Sequence, residues 1–203
     1  MRLTCRPAVG LDAGVSVLTM TREPCVDVGF NGGALGERFE LQEPDPGLLA
    51  SERDRVIGLI RAQLPGVDVH EVGSTCVPGV IGKGDIDLLV RVPPHQFEAA
   101  RQSLDALFCR NAKQLSDAMY QGYVVPAPID VAVQLTVEGG PYDDFDRFIR
   151  ALRSSPDRVR AYNDLKRQWS GRDMEGYRRA KASFIEATLA EVRAEEGGNP
   201  FQP

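Results

Sequence analysis

Hydrophobic positions at helical spacing mark the first clear element of the chain. Asp45-Pro46 has the composition of a helix start, with Asp as the N-cap and Pro in the first turn. Leu49, Val56, Ile60 and Leu64 then fall on one helical face, and Pro65-Gly66 ends the run. A second run of this kind lies between Phe97 and Leu107. Both patterns predict amphipathic helices with one face against a core.

Shorter apolar runs separate these helices and predict strands. Residues 67–72 alternate between apolar and polar side chains, and residues 86–92 form a mostly apolar run that Pro93-Pro94 closes. Residues 118–125 and 129–137 predict two further strands, joined at a proline-rich turn. The four strands, taken with the helices between them, predict a mixed sheet.

The pattern changes to helix after residue 140. Three apolar stripes follow, made by Phe145, Phe148, Ile149 and Leu152, then Val159, Tyr162 and Trp169, then Tyr177, Phe184, Leu189 and Val192. The whole order predicts an α+β domain, with a mixed sheet, flanking helices and a C-terminal helical segment. We divide the chain into an irregular N-terminal extension at 1–40, a core at 41–140 and a helical segment packed on that core at 141–196.

Composition limits the classes of function. The chain has 203 residues, enough for one sizeable core, and contains no apolar run that could span a bilayer and no signal-peptide pattern. We therefore expect a cytoplasmic protein with no membrane partner. Its four cysteines include no CxxC pair and are accompanied by two histidines, so we expect four free thiols and no zinc site. The formal net charge of -5 argues against long nucleic acids as partners but allows a small anionic ligand.

The stretch from His70 to Val90 carries the chemistry. Gly73 permits close backbone approach, while Ser74 and Thr75 add hydroxyl donors beside exposed N–H groups, a combination that can cradle a phosphate. The alternative is a tight turn, with no phosphate-binding role, within the Gly-, Ser- and Pro-rich loop at 73–84.

Aspartates follow this loop. Asp85 and Asp87 lie two residues apart on a strand and so leave the same face, an arrangement suited to Mg²⁺ together with waters and substrate phosphates. Lys83, just before them, is placed to meet a phosphate oxygen. Asp130 opens the strand at 129–137, and three carboxylates converge if that strand neighbours 86–92, as in two-metal nucleotidyl transfer. The alternatives are a solvated carboxylate pair bonded to Lys83 and a turn role for Asp130.

These residues resemble a known family. A Gly-Ser pair, a gap of about ten residues and Asp-x-Asp in a hydrophobic strand resemble the polymerase-β-like nucleotidyltransferase superfamily. Residues 73–79, Gly-Ser-Thr-Cys-Val-Pro-Gly, look like the GrpB (UPF0157-like) family within it. The similarity continues through 148–156, 162–167 and 177–184, and covers roughly residues 40–190.

The chain departs from the family pattern at three places. Asp87 matches the family aspartate, whereas Asp85 replaces a position that is commonly apolar. Glu71 stands where a histidine usually precedes the Gly-Ser loop, and the later strand, which often carries histidines, runs from Asp130 to Gln134 as Asp-Val-Ala-Val-Gln. The added aspartates bring this chain closer to an active transferase pattern.

We expect from this a Mg²⁺-dependent nucleotidyltransferase-like protein that moves a nucleotidyl group from an NTP to a hydroxyl of a small molecule or protein. Asp85, Asp87 and Asp130 would be the catalytic and metal-binding residues. Nucleotide contacts are expected at the following positions: Gly73, Ser74, Thr75, Lys83, Lys166, Arg167 and Lys181. The last three are alternatively solvated helix charges. The alternative function is a catalytically degenerate nucleotide-binding module for regulation or interaction; the acceptor, the base and the oligomeric state are not predicted.

Overall fold

A computed structural model describes residues 37–197, so most of the predicted N-terminal extension lies outside the described residues. The helices are α1 (Pro46–Gln63), α2 (Phe97–Asp105), α3 (Phe145–Arg153), α4 (Pro156–Trp169) and α5 (Met174–Gly197). The strands are β1 (Asp68–Glu71), β2 (Ile86–Val92), β3 (Cys109–Arg110), β4 (Tyr120–Val125) and β5 (Val131–Val137). Short 3-10 turns occupy Ser74–Cys76 and Pro94–Gln96. The α+β class is thus confirmed; β3 was not predicted, because two residues are too few to set a pattern.

The start, end and buried face of α1 agree with the sequence prediction. Asp45 Oδ1 accepts a hydrogen bond of 2.8 Å from the Gly47 amide, which satisfies one of the free N–H groups at the helix start. At the other end the Leu64 amide donates to the Ile60 carbonyl at 2.8 Å. Val56 and Ile60 are fully buried, so the apolar face of this helix meets the core as expected.

The sheet is mixed, with strand order β1-β2-β5-β4-β3. The central pair, β2 and β5, runs parallel, and every other pair is antiparallel. Ile86 is in register with Val131, and Asp87 with Ala132. Strands 86–92 and 129–137 are therefore neighbours, which is the condition for the predicted approach of Asp130 to Asp85 and Asp87.

Alternation along β2 sends side chains to two different hydrophobic layers. Ile86, Leu88 and Val90 join the core formed with α1 and α2. Leu89 points the other way and packs in a second cluster with residues of the C-terminal helices, including Phe148. Since Asp85 and Asp87 share the phase of Leu89, they face the side of the sheet that carries α3, α4 and α5.

Residues 37–42 belong to the folded unit, although the sequence placed 37–40 in an irregular extension. Phe39 is buried, and its ring stacks on Tyr177 with centroids 3.7 Å apart. Its amide donates to the Arg172 carbonyl at 2.9 Å, and the Gln42 amide donates to the Gly82 carbonyl at 2.9 Å. This segment therefore links the turn between α4 and α5 to the loop before β2.

Two further findings bear on the composition argument. No helix within residues 37–197 is both long and apolar enough to cross a membrane. Cys76 is a free thiol, as expected. Cys109 forms a disulfide, so the expectation of free thiols is wrong for that residue. Pairing depends on the distance between cysteines in the fold, which their spacing along the chain does not give.

Candidate functional site

The predicted aspartates lie at the start of the central parallel strand pair. Asp85 precedes β2, and Asp87 is its second residue. The Ile86 amide donates to the Asp130 carbonyl at 2.9 Å, which places Asp130 beside Asp85 across the two strands. The parallel pairing thus brings the three aspartates to one end of the sheet, on the side that carries the C-terminal helices.

A lysine occupies the space between two of these carboxylates. Lys83 Nζ lies 3.2 Å from Asp85 Oδ2 and 3.0 Å from Asp130 Oδ2. Burial by itself would lower the pKa of Lys83, but the carboxylates of Asp85 and Asp130 outweigh it and the pKa is raised. In this arrangement Lys83 is therefore engaged with the aspartates, whereas the sequence analysis assigned it to a phosphate.

This ion pairing changes the expected metal site. Within residues 37–197, no group of three or more His, Cys, Asp or Glu side chains is arranged to hold a metal ion. The Asp130 side chain is 81% exposed, against 21% for Asp85, so it stands at the rim. The predicted convergence of three carboxylates is absent from this arrangement, because the ammonium group of Lys83 separates Asp130 from Asp85.

Gly73 is required by its contact with Asp87. A Cβ atom at this position would lie 2.8 Å from Asp87 Oδ2, closer than real Cβ atoms approach other heavy atoms, and 3.0 Å from Asp87 Cβ. Its φ of -72° is open to any residue, so the reason for glycine is space and not backbone conformation. The Gly-Ser loop therefore lies directly against the second aspartate.

A short chain of amides and hydroxyls holds the same aspartate from β5. Gln134 Nε2 donates to Asp87 Oδ1 at 3.3 Å, and Tyr120 Oη donates to Gln134 Oε1 at 3.0 Å. Burial raises the pKa of Asp87, as does the charge of Asp85; Lys181, Lys83 and the Gln134 hydrogen bond oppose that rise. The sequence pattern does not single out Gln134, although the two-residue period of β5 places it on the same face as Asp87.

The hydroxyls of the loop serve different purposes. Thr75 Oγ1 shares its proton between Glu71 Oε1 at 2.5 Å and the Asp85 carbonyl at 3.0 Å, so this side chain ties the loop to β1 and β2. Ser74 Oγ lies beside Gly82, where an added Cβ would be 2.9 Å from Ser74 Oγ and 3.8 Å from Lys166 Nζ. Of the two hydroxyl groups predicted to contact phosphate, that of Ser74 thus lies near Lys166, while that of Thr75 is bonded to Glu71 and to the Asp85 carbonyl.

Lys166 reaches this loop from α4. It is almost fully buried, its Nζ donates to the Ile81 carbonyl at 2.5 Å, and it lies 4.3 Å from the ring centroid of Tyr162. Burial lowers the pKa of Lys166 to about 7; the charge of Lys181 adds to that shift, and Asp85 and Asp87 oppose it. The side chain predicted to bind phosphate is therefore placed beside the loop and within the field of the aspartates.

Lys181 approaches from α5. Burial acts to lower the pKa of Lys181, but Asp87, Tyr177 and Asp85 outweigh it and the pKa is raised. Lys181 thus stays charged while its neighbour Lys166 titrates near neutrality. The charges of two lysines from different helices therefore act on the aspartates at the start of β2.

Arg167 does not join them. Its side chain is 59% exposed and pairs with Asp164 at 2.8 Å on the outer side of α4. Successive residues of a helix are about 100° apart around its axis, so burial of Lys166 turns Arg167 toward solvent. The prediction that Arg167 contacts a nucleotide is at odds with this placement, and the solvated alternative describes it.

Asn163, which no sequence motif singles out, holds the loop before Gly82 from α4. It accepts a hydrogen bond from the Ile81 amide at 3.0 Å and donates to the Gly79 carbonyl at 2.7 Å. One turn further along α4, Lys166 binds the Ile81 carbonyl. The two side chains fix the loop at 79–81 in place, which in turn sets the position of Gly82 beside Ser74.

The comparisons with known proteins define the family. The GrpB protein family model matches residues 39–191, and the chain belongs to the GrpB family. A UPF0157 protein of Vibrio cholerae is 33% identical over 134 residues, which cover 66% of this chain and 71% of that protein. A UPF0157 protein of Deinococcus radiodurans is 28% identical over 156 residues, covering 75% and 82% respectively.

A solved structure supports the fold. The conserved protein GrpB from Enterococcus faecalis is 19% identical and superposes with a TM-score of 0.57, covering 77% of this chain and 98% of that one. The sequence resemblance to this family is therefore confirmed over the region that carries the loop, the aspartates and the C-terminal helices.

Proposed function

We propose that this protein binds an NTP with Mg²⁺ and transfers a nucleotidyl group to a hydroxyl of a small molecule or protein. One observation carries the proposal: Asp87 lies directly against Gly73 of the loop, and the charges of Lys166 and Lys181 interact with those of Asp85 and Asp87. Carboxylates that could hold a cation thus adjoin donors and ammonium groups that suit phosphates.

The donor set fits Mg²⁺. Asp85 and Asp87 lie on the same face at the start of β2, and their mutual repulsion helps burial to raise the pKa of Asp87, a cost that a bound cation would relieve. Mg²⁺ commonly takes one or two protein carboxylates and completes its shell with water and substrate phosphates. Bound there, it would offset the phosphate charge and lower the pKa of the attacking hydroxyl.

The phosphates would be held by the loop and the lysines. The backbone at Gly73 and the Ser74 hydroxyl offer donors on the loop, and Lys166 and Lys181 supply positive charge from the helices. Gln134 would hold one oxygen of Asp87, leaving the other toward the loop. Asp130, exposed at the rim, is assigned to orient the acceptor hydroxyl once Lys83 has moved to a phosphate oxygen.

A second candidate is a nucleotide-binding regulatory or interaction module without turnover. The observation that favours it is the place of Lys83 between Asp85 and Asp130. A two-metal transferase needs its carboxylates to face shared cations, and here an ammonium group occupies that place between two of the three.

A thermal-shift screen of the NTPs, with Mg²⁺ and with EDTA, tests nucleotide binding. A ligand at a hundredfold excess over Kd stabilises the folded state by about 2.7 kcal/mol. For a chain of this length that raises Tm by roughly 5–10 °C. We expect the rise with Mg²⁺ and not with EDTA, because without a cation the triphosphate meets carboxylates of its own sign.

Two substitutions test whether the aspartates cause the rise in Tm, and one further assay distinguishes the transferase from the nucleotide-binding module. Asp87→Asn keeps the shape of the best-matched metal ligand and should abolish the rise, and Asp85→Asn tests the aspartate that this chain adds. A shift that survives both substitutions excludes the aspartates as the metal site. Release of pyrophosphate from the bound NTP in the presence of hydroxyl acceptors indicates the transferase, whereas tight binding without release indicates the module.

A further inference from the structure

A cleft lies between residues 76–79 and the facing parts of α3 and α4, and none of the three aspartates lines it. Its volume is about 610 Å³, within the range of small-molecule sites. Its walls are largely apolar and include Val77, Leu152 and Val159. Nothing in the proposed nucleotide chemistry uses this space.

The charge of the cleft has one sign. Arg153 and Arg160 line it, and no aspartate or glutamate is among its lining residues. Arg160 pairs with Asp157 in solvent. Arg153 donates to the Cys76 carbonyl at 2.8 Å, and no carboxylate of residues 37–197 lies within 4.0 Å of its guanidinium group. A guanidinium group beside apolar walls favours an anionic partner that also has an apolar part.

A buried polar side chain completes the lining. Asn163 is 7% exposed and contributes to the cleft wall. Its bonds to Ile81 and Gly79 use one of its two N–H groups and one of the lone pairs on its oxygen. A side-chain amide has two donors and two acceptor sites, so Asn163 retains one of each for a ligand.

We propose that this cleft is a binding site for a small organic acid, a carboxylate with an apolar body. The carboxylate meets Arg153, and the apolar body rests on Val77, Leu152 and Val159. Because Asn163 also fixes the loop at 79–81, a ligand here contacts the segment that leads to Ser74 and Gly82. The site is separate from the aspartates and does not depend on nucleotide binding.

A fluorescence titration with 8-anilinonaphthalene-1-sulfonate tests the proposal on the folded chain, since this dye combines an anion with an apolar body. We expect one dye per chain. Octanoate should displace it, while octylamine, of equal length and opposite charge, should not. Val159→Asp, which places a negative charge in the cleft, and Arg153→Gln, at an exposed position, should each weaken dye binding by about tenfold or more. Leu59→Asp, an exposed apolar position on α1, is the matched control and should leave it unchanged.

The opposite results overturn the site. Dye affinity that Arg153→Gln leaves unchanged removes the anion contact, and that variant alters no buried residue. Equal displacement by octylamine shows a merely apolar surface. A dimer in sedimentation that Val159→Asp dissociates shows that a second copy of the chain, and not a small acid, covers the cleft.

Discussion

Replacing Gly73 with alanine tests the contact between the loop and the aspartate. The backbone there, with φ of -72°, accepts alanine without strain, so the substitution acts through the added methyl group. That methyl group would lie 2.8 Å from Asp87 Oδ2, 3.0 Å from Asp87 Cβ and 3.2 Å from the Asp87 amide nitrogen. The Asp87 carboxylate could rotate away from the methyl group. The Asp87 amide nitrogen is fixed in β2 and cannot move, so the loop at Gly73 must shift to relieve that contact.

The size of the effect follows from overpacking. Forcing one methyl group into a filled site costs about 1–3 kcal/mol, and we expect Gly73→Ala to lower the free energy of unfolding by that amount. Gly58→Ala is the matched control: Gly58 is an exposed position in α1 where an added Cβ meets nothing within 4 Å. The same exchange there should stabilise the protein by about 0.5–1 kcal/mol, because alanine favours a helix interior.

Urea denaturation of the two variants, compared with the unchanged protein, measures this difference. Gly73→Ala should also reduce the Tm rise produced by Mg²⁺ and NTP, whereas Gly58→Ala should retain it. A Gly73→Ala protein that is as stable as the parent and still responds to nucleotide would refute the packing of the loop on Asp87.

Three further expectations concern the buried lysine, the second core and the net charge. Burial sets the pKa of Lys166 at about 7, below its unfolded value, so above neutrality the unfolded chain binds more protons and stability rises with pH. The free energy of unfolding should rise by roughly 2 kcal/mol between about pH 6.5 and about pH 8.5. Urea titrations at these two pH values measure this rise, and Lys166→Met should remove it. Leu89→Ala deletes a fully buried contact with the C-terminal helices and should cost about 2–5 kcal/mol by the same assay. With a net charge of -5, the protein should show no salt-sensitive micromolar binding to random duplex DNA in fluorescence anisotropy.

Strand periodicity explains how much of the site could be predicted. Because side chains on a strand alternate, the common face of Asp85 and Asp87 follows from their spacing. The approach of Asp130 follows once 129–137 pairs with 86–92 in parallel. What the spacing could not give was Lys83 between two of these carboxylates, since that contact depends on how the loop at 73–84 turns.

Helix phase explains the different outcomes for two neighbouring cations. Lys166 continues the apolar stripe of Val159 and Tyr162, four residues beyond the latter, and is buried with it. Arg167 is one step off that stripe and is exposed. Because the stripe is visible in the amino-acid sequence, helical periodicity alone is enough to separate the two residues.

Hydrogen-bond partners that are distant in the chain could not be predicted from the sequence. Gln134 meets Asp87 across 47 residues, and Asn163 meets Gly79 and Ile81 across more than 80. Hydrogen bonds of this kind depend on which elements pack together, and local pattern does not contain that information. The carboxylates of the site can therefore be predicted from one amino-acid sequence more readily than the side chains that hold them in place.

Calorimetric titration of an NTP into the protein, with Mg²⁺ and with EDTA, tests whether Asp87 holds a metal that bridges the chain and the nucleotide. The NTP is the one with the largest thermal shift, and Asp87→Asn is titrated in parallel. We expect one nucleotide per chain in Mg²⁺, no measurable heat of binding in EDTA, and affinity at least about tenfold weaker for Asp87→Asn. Equal affinity in EDTA, or in the Asp87→Asn protein, would contradict the assignment of Asp87 to a metal that bridges the chain and the nucleotide.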